Sequence, residues 1–93
     1  MSMIVIQHSV EDFAAWKKAF DSDPAGRAEH GVTRHAIYRS ADAPDDVVIN
    51  LEFASRDQAQ EFLELPALRE AWRNFGVEDL KARILDEVEI VDY

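Results

Sequence analysis

Residues 32–53 read VTRHAIYRSADAPDDVVINLEF. From Asp46 to Phe53 the residues alternate, with Val47, Ile49, Leu51 and Phe53 to one side and Val48, Asn50 and Glu52 to the other. That period of two belongs to a strand with one face buried. Ala41-Asp42-Ala43-Pro44-Asp45 has the composition of a turn, with Pro and Asp where a chain reversal needs them. Val32 to Ser40 then makes the second strand of a hairpin folded about Ala43. On the apolar side this sets His35 against Leu51, Ile37 against Ile49 and Arg39 against Val47. On the other side Arg34 meets Glu52, Ala36 meets Asn50, and Tyr38 meets Val48. A cross-strand charge pair contributes about 0.2–1 kcal/mol, and a one-residue slip would invert both faces.

Towards the N-terminus, Met3 to His8 is a short strand rich in β-branched residues. Ser9 and Asp12 have the spacing of a capping box. Val10, Phe13, Trp16, Lys17 and Phe20 then follow at helical spacing. Pro24 and Gly26 end or break that helix, and Ala25 to His30 adds a turn before Gly31. Towards the C-terminus, Ser55 and Gln58 repeat the capping signature, and Ala59, Phe62 and Leu63 form the buried stripe of a second helix. Pro66 suits the first turn of a further helix, Ala67 to Phe75, closed by Gly76. A last strand is expected within Arg83 to Val91, where Val88 and Ile90 alternate with Glu87 and Glu89.

The two halves are alike: each is a strand, a capping serine and an aromatic seven residues on, Trp16 or Phe62. Two interleaved βαβ units make a ferredoxin-like βαββαβ sandwich. This α+β fold has a four-stranded antiparallel sheet, and right-handed crossovers put the helices on one face. Ninety-three residues fit one domain, 1–93. The sheet face carrying Tyr38 and Val48 is left bare. A second copy packed sheet to sheet would cover it, giving a homodimer, a dimeric α/β barrel with a cavity.

Composition excludes several classes. Nineteen acidic residues against ten basic ones give a net charge of −9. That balance disfavours nucleic acid and anionic membrane. There is no cysteine, which removes disulfides, thiolate catalysis and Cys-bound zinc. The apolar run Met3–Ile6 is too short for a signal peptide or a membrane span, so the cytoplasm is the default compartment. Three glycines form no phosphate loop, and His8, His30 and His35 lack metal-ligand spacing. Asp42, Asp45 and Asp46 read as a solvated turn rather than a calcium loop. No cofactor or metal is expected.

The opening His8-Ser9-Val10-Glu11-Asp12-Phe13-Ala14-Ala15-Trp16 resembles the H-x-V-x-D-[FY]-x-x-W pattern of small dimeric α/β-barrel proteins related to antibiotic-biosynthesis monooxygenases. Asp45 to Phe53 is similar to that group's third strand, and Leu65 to Ala71, followed by Gly76-Val77, to its second helical segment. The resemblance spans roughly residues 3 to 91. It implies the fold above and a superfamily of cofactor-independent oxygenases of aromatic polyketides, haem-degrading enzymes and cyclases. Shared fold does not choose among these activities. The haem-degrading branch has a haem-ligating histidine in the second helical region, whereas this chain has none after His35.

His8, at a strand end, is the candidate general base; the plainer role is to brace the strand–helix turn. Glu52 is the second catalytic candidate, accepting from a substrate that Arg34, Tyr38 and Asn50 orient. Arg34 and Glu52 equally suit a cross-strand ion pair at a dimer seam. Trp72 fits either the core or the mouth of the cleft. The leading expectation is a small apolar or aromatic ligand between sheet and helices, turned over by proton transfer or oxygen addition. The alternatives are a non-catalytic ligand-binding or accessory dimer and a structural dimerisation module. An enclosed pocket reaching His8 and Glu52 favours the first; a pocket filled by Phe and Trp favours the second.

Overall fold

The computed structural model describes residues 1–93. In chain order the elements are β1 (Ser2–Ser9), α1 (Phe13–Asp21), a 3-10 turn (Ala28–His30), β2 (Val32–Arg39), β3 (Asp46–Phe53), α2 (Arg56–Leu63), α3 (Pro66–Asn74) and β4 (Glu78–Asp86). The strands form one sheet in the order β2-β3-β1-β4, every neighbour antiparallel. This is the ferredoxin-like arrangement.

The hairpin has the register expected from the sequence, with Arg34 opposite Glu52, Ile37 opposite Ile49 and Tyr38 opposite Val48. A shift between Val32 and Arg34 ends its regular pairing. On β3 the alternation becomes strict burial, with Val47, Ile49, Leu51 and Phe53 all inside. Ile4 and Ile6 of β1 continue that face, and Trp16, Phe20, Ala59, Phe62 and Leu68 of the three helices close over it. Each fully buried side chain of this size contributes roughly 1.5–3 kcal/mol, so the core lies wholly on one side of the sheet.

The first helix begins later than the spacing of Ser9 and Asp12 suggests. Ser9 is still in β1, its hydroxyl donating to Asp46 Oδ1 at 2.8 Å, and Val10 N–H donates to the Asp45 carbonyl at 2.9 Å. The chain cannot turn helical until it leaves the sheet, so Asp12 is the N-cap and accepts from Ala15 N–H at 3.3 Å. Ser55 caps α2 as expected, accepting from Gln58 N–H at 3.2 Å. Pro66 is inside the first turn of α3.

The last strand is also displaced from the expected span. It runs Glu78–Asp86, with Leu80 and Ile84 half-buried against the core. Beyond Asp86, opposite Ser2, β1 offers no further partner, and Glu87 N–H makes a last bond to the Met1 carbonyl at 3.0 Å. Val88 and Ile90, whose alternation suggested a strand, are therefore exposed, as are Val91 and Tyr93. Arg56 and the Ser2 hydroxyl both bond the Asp86 carboxylate where β4 ends.

Candidate functional site

Between the inner sheet face and the helices lies a pocket lined mainly by apolar side chains. Its floor is Ile6, His8, Ile49 and Leu51; Trp16 and Phe20 of α1, Phe62 of α2, and Leu68, Trp72 and Phe75 of the α3 segment enclose it. The turn after α1 supplies Asp23 and Arg27 at its edge. The free volume is only about 40 Å³, room for roughly three or four waters at ~10–15 Å³ each.

His8 is the one histidine in this lining, and only 3% of its surface is exposed. Strand parity puts it on the same side as Ile4 and Ile6, towards the helices. The Trp16 indole meets its ring edge-on, 5.4 Å between centroids. Its Nδ1 stands 3.4 Å from the Ser9 carbonyl; donation there places the imidazole proton on Nδ1 and leaves the lone pair on Nε2. Burial pushes the His8 pKa down, and the Ser9 carbonyl only partly opposes this. A neutral imidazole against apolar walls is a base that water does not compete for.

The backbone at His8 is irregular too. Gln7 pairs with Lys81 but Ser9 pairs with Glu78, so Asp79 and Leu80 together oppose His8. Asp79 takes up the extra length at a positive φ of 53°. This bulge borders a polar notch lined by Gln7, His8, Ser9, Asp46, Asp79, Leu80 and Lys81. His8 therefore lines both the mainly apolar pocket and a polar outer notch.

The depressed pKa has a thermodynamic signature. The unfolded imidazole titrates near 6.5. Between that value and the lower folded one, the unfolded chain holds more protons, so stability rises with pH across the window. The His8 contribution is complete above about pH 6.5 and is lost as pH falls towards the folded pKa. Urea midpoints at pH 7.5 and 5.5 should fall more in the native protein than in His8→Phe. Equal falls would mean that His8 titrates alike in both states.

The structure divides the residues that sequence brought together as one site. His8 and Trp72 line the pocket; Glu52, Arg34, Tyr38 and Asn50 do not. Those four lie on the opposite sheet face, because they alternate with the buried positions of β2 and β3. Within one chain His8 and Glu52 thus cannot act on the same ligand atom from one cavity. Arg34 Nε does reach Glu52 Oε2 at 3.2 Å, the arginine exposed and the glutamate mostly covered, and such a pair contributes about 0–1 kcal/mol. Arg27, Trp16 and Phe20 complete the pocket instead. The aromatic stripe of α1 marked two of them, while Arg27 sits in an irregular turn that carries no periodic signal.

Neither a protein-family model nor a curated protein sequence matches this chain. Solved structures do. SnoaB, a cofactor-independent oxygenase from Streptomyces nogalater, superposes with a TM-score of 0.80 at 16% identity, over 99% of this chain and 97% of that one. The fold is that of the antibiotic-biosynthesis-monooxygenase-like proteins. A candidate antibiotic biosynthesis monooxygenase from Deinococcus radiodurans matches this chain at TM-score 0.74 and 17% identity, covering 100% and 98%. One from Nitrosomonas europaea gives 0.70 and 21%, covering 96% and 100%. At these identities the likeness establishes the architecture. No helix of the chain is long and apolar enough to cross a membrane.

Proposed function

We propose that this chain is a homodimeric small-molecule-binding protein that oxygenates, or cyclises, an aromatic or polyketide-like substrate without a cofactor. The observation that carries this reading is a single buried histidine, its pKa pushed down by burial, on the floor of a mainly apolar pocket. One structural neighbour, a cofactor-independent oxygenase, supports this choice of reaction class.

The chemistry follows from where the electrons must come from. With no cofactor to supply them, the substrate must, so it has to ionise to an electron-rich anion. His8 takes the proton of an activated methylene, and the carbanion delivers its electrons to dioxygen. One dioxygen then supplies the new carbonyl oxygen and one water, CH2 + O2 giving C=O + H2O. The apolar walls strip an imidazolium of hydration and so keep the base free. The proton leaves through the notch beside Asp79. The fit requires Trp72 and Phe75, both half-buried at the α3 end, to swing outward, since a two-ring ligand exceeds the present volume.

The dimer belongs to the same reading. The outer sheet face sets Met3, Val5, Tyr38, Val48 and Leu85 among polar groups, and the tail beyond Asp86 exposes Val88 and Ile90. A second copy shields both. Light scattering at micromolar concentration should give twice the 10.6 kDa chain mass, and Tyr38→Glu with Leu85→Glu should return it to one. Oxygen uptake matching quinone formation one for one on a tricyclic anthrone tests the chemistry. A native monomer removes the dimer, and no uptake with any activated methylene removes the oxygenase.

Two observations favour a second reading, a non-catalytic ligand-binding or accessory protein: Trp16, Phe20, Phe62, Trp72 and Phe75 already occupy most of the pocket, and it reaches His8 but not Glu52. Binding of such compounds without their consumption would select it.

A further inference from the structure

The second polar end of the pocket is Arg27, and resting on the pocket as the ligand site, we infer that it sets the charge class of the ligand. The ligand is an apolar ring system carrying one anionic oxygen, carboxylate or enolate, held on the free edge of the Arg27 guanidinium.

The turn after α1 is built around this side chain. Asp23 stands at a positive φ of 52°, and its Oδ1 accepts the Arg27 backbone N–H at 2.9 Å. The guanidinium is largely buried, its side chain 16% exposed. Its carbon lies 3.8 Å from the centre of the Phe20 ring, and Nη1 donates to the Phe20 carbonyl at 3.0 Å. Asp23 Oδ1, already bonded to the backbone, is 3.5 Å from Nη1. One face and one nitrogen are thus committed to the protein, whereas Nε and Nη2, with three N–H between them, donate to no protein acceptor. These two nitrogens are not sealed in, because no fully buried side-chain nitrogen of the chain lacks a partner. Arg27 is itself one of the residues that line the pocket.

An edge of two parallel N–H groups matches an anionic oxygen pair, and charge-assisted bonds of that kind are about twice as strong as neutral ones. A wholly apolar ligand would instead cover unpaired donors at a cost. The position matters as much as the charge. His8 meets Trp16 at 5.4 Å, Trp16 meets Phe20 at 5.2 Å, and Phe20 carries Arg27. Base and cation therefore stand at opposite ends of a two-ring aromatic wall. A flat ligand lying along it presents its anionic oxygen at one end and its acidic C–H at the other. The Asp23 carboxylate offsets part of the Arg27 charge, so the preference for an anion rests on the free N–H donors of Nε and Nη2 rather than on net charge.

The test uses 2-naphthoate and its neutral isostere 2-naphthamide, titrated against the fluorescence of Trp16 and Trp72, the chain's two tryptophans. The native protein should bind naphthoate at least about tenfold more tightly. Arg27→Met, which keeps the stem over Phe20, should bind both compounds with the native affinity for naphthamide. Arg27→Lys should keep part of the preference. Should Arg27→Met not fold, the Nε–H resonance of Arg27 in the native protein should shift with naphthoate and not with naphthamide. Equal native affinities, or an equal loss of both in Arg27→Met, overturn the Arg27 role while leaving the pocket reading standing. Binding of neither compound overturns both.

Discussion

His8→Gln should slow turnover by about 10²–10⁴-fold, the usual contribution of a positioned general base, with little change in KM. Glutamine keeps a donor for the Ser9 carbonyl that His8 Nδ1 faces and is close in length, so the strand end and pocket floor should survive. What disappears is basicity. The native rate should rise with pH and reach its plateau below the ordinary histidine value of 6.5, because burial lowers the His8 pKa. The variant should lose that limb of the profile. A His8→Gln protein that folds and turns over at the native rate would reduce His8 to a brace for the β1–α1 turn.

Phe62→Ala carries the largest expected cost in stability. Phe62 is 1% exposed, meets Phe53 at 5.6 Å between ring centroids, and forms one wall of the pocket. Removing a ring from such a site costs about 3–5 kcal/mol, against a total of roughly 5–15 kcal/mol for a domain of this size. The urea midpoint should drop sharply at constant m-value, and Phe62→Leu should lose much less. Because the new void adjoins the existing pocket, indole or benzene should restore part of the midpoint by filling it. A loss under about 1 kcal/mol would show that α2 repacks freely, and the pocket would then lack a fixed wall.

The sequence carried the fold almost whole, and the site only in part. In β3 a strict alternation meets a turn of fixed composition, so the hairpin and its register could be read residue by residue. The same register told which residues share a face, and Arg34, Tyr38, Asn50 and Glu52 do share one. It could not tell what covers that face. In β1 the run Met-Ile-Val-Ile is apolar on both sides, so alternation left His8 unassigned until α1 set the Trp16 ring against it. Arg27 was invisible for a different reason. Its place depends on two positive-φ positions, Asp23 and Gly26, and on packing against Phe20, neither of which leaves a periodic mark. The end of β4 was misplaced because Val88 and Ile90 have the pattern of a strand but no neighbour to pair with.

The strand order has a consequence for how the molecule is made. β1 precedes β3 and β4 in the sequence yet lies between them, its partners coming from residues 46–53 and 78–86. During translation the ribosome can release a finished β2–β3 hairpin while β1 still has one flank open. The sheet closes only after Asp86 emerges. Long-range pairing of this kind slows folding and leaves Ile4 and Ile6 exposed to unwanted association in the interval. Docking of β4 completes the sheet, and it also sets the bulge against His8.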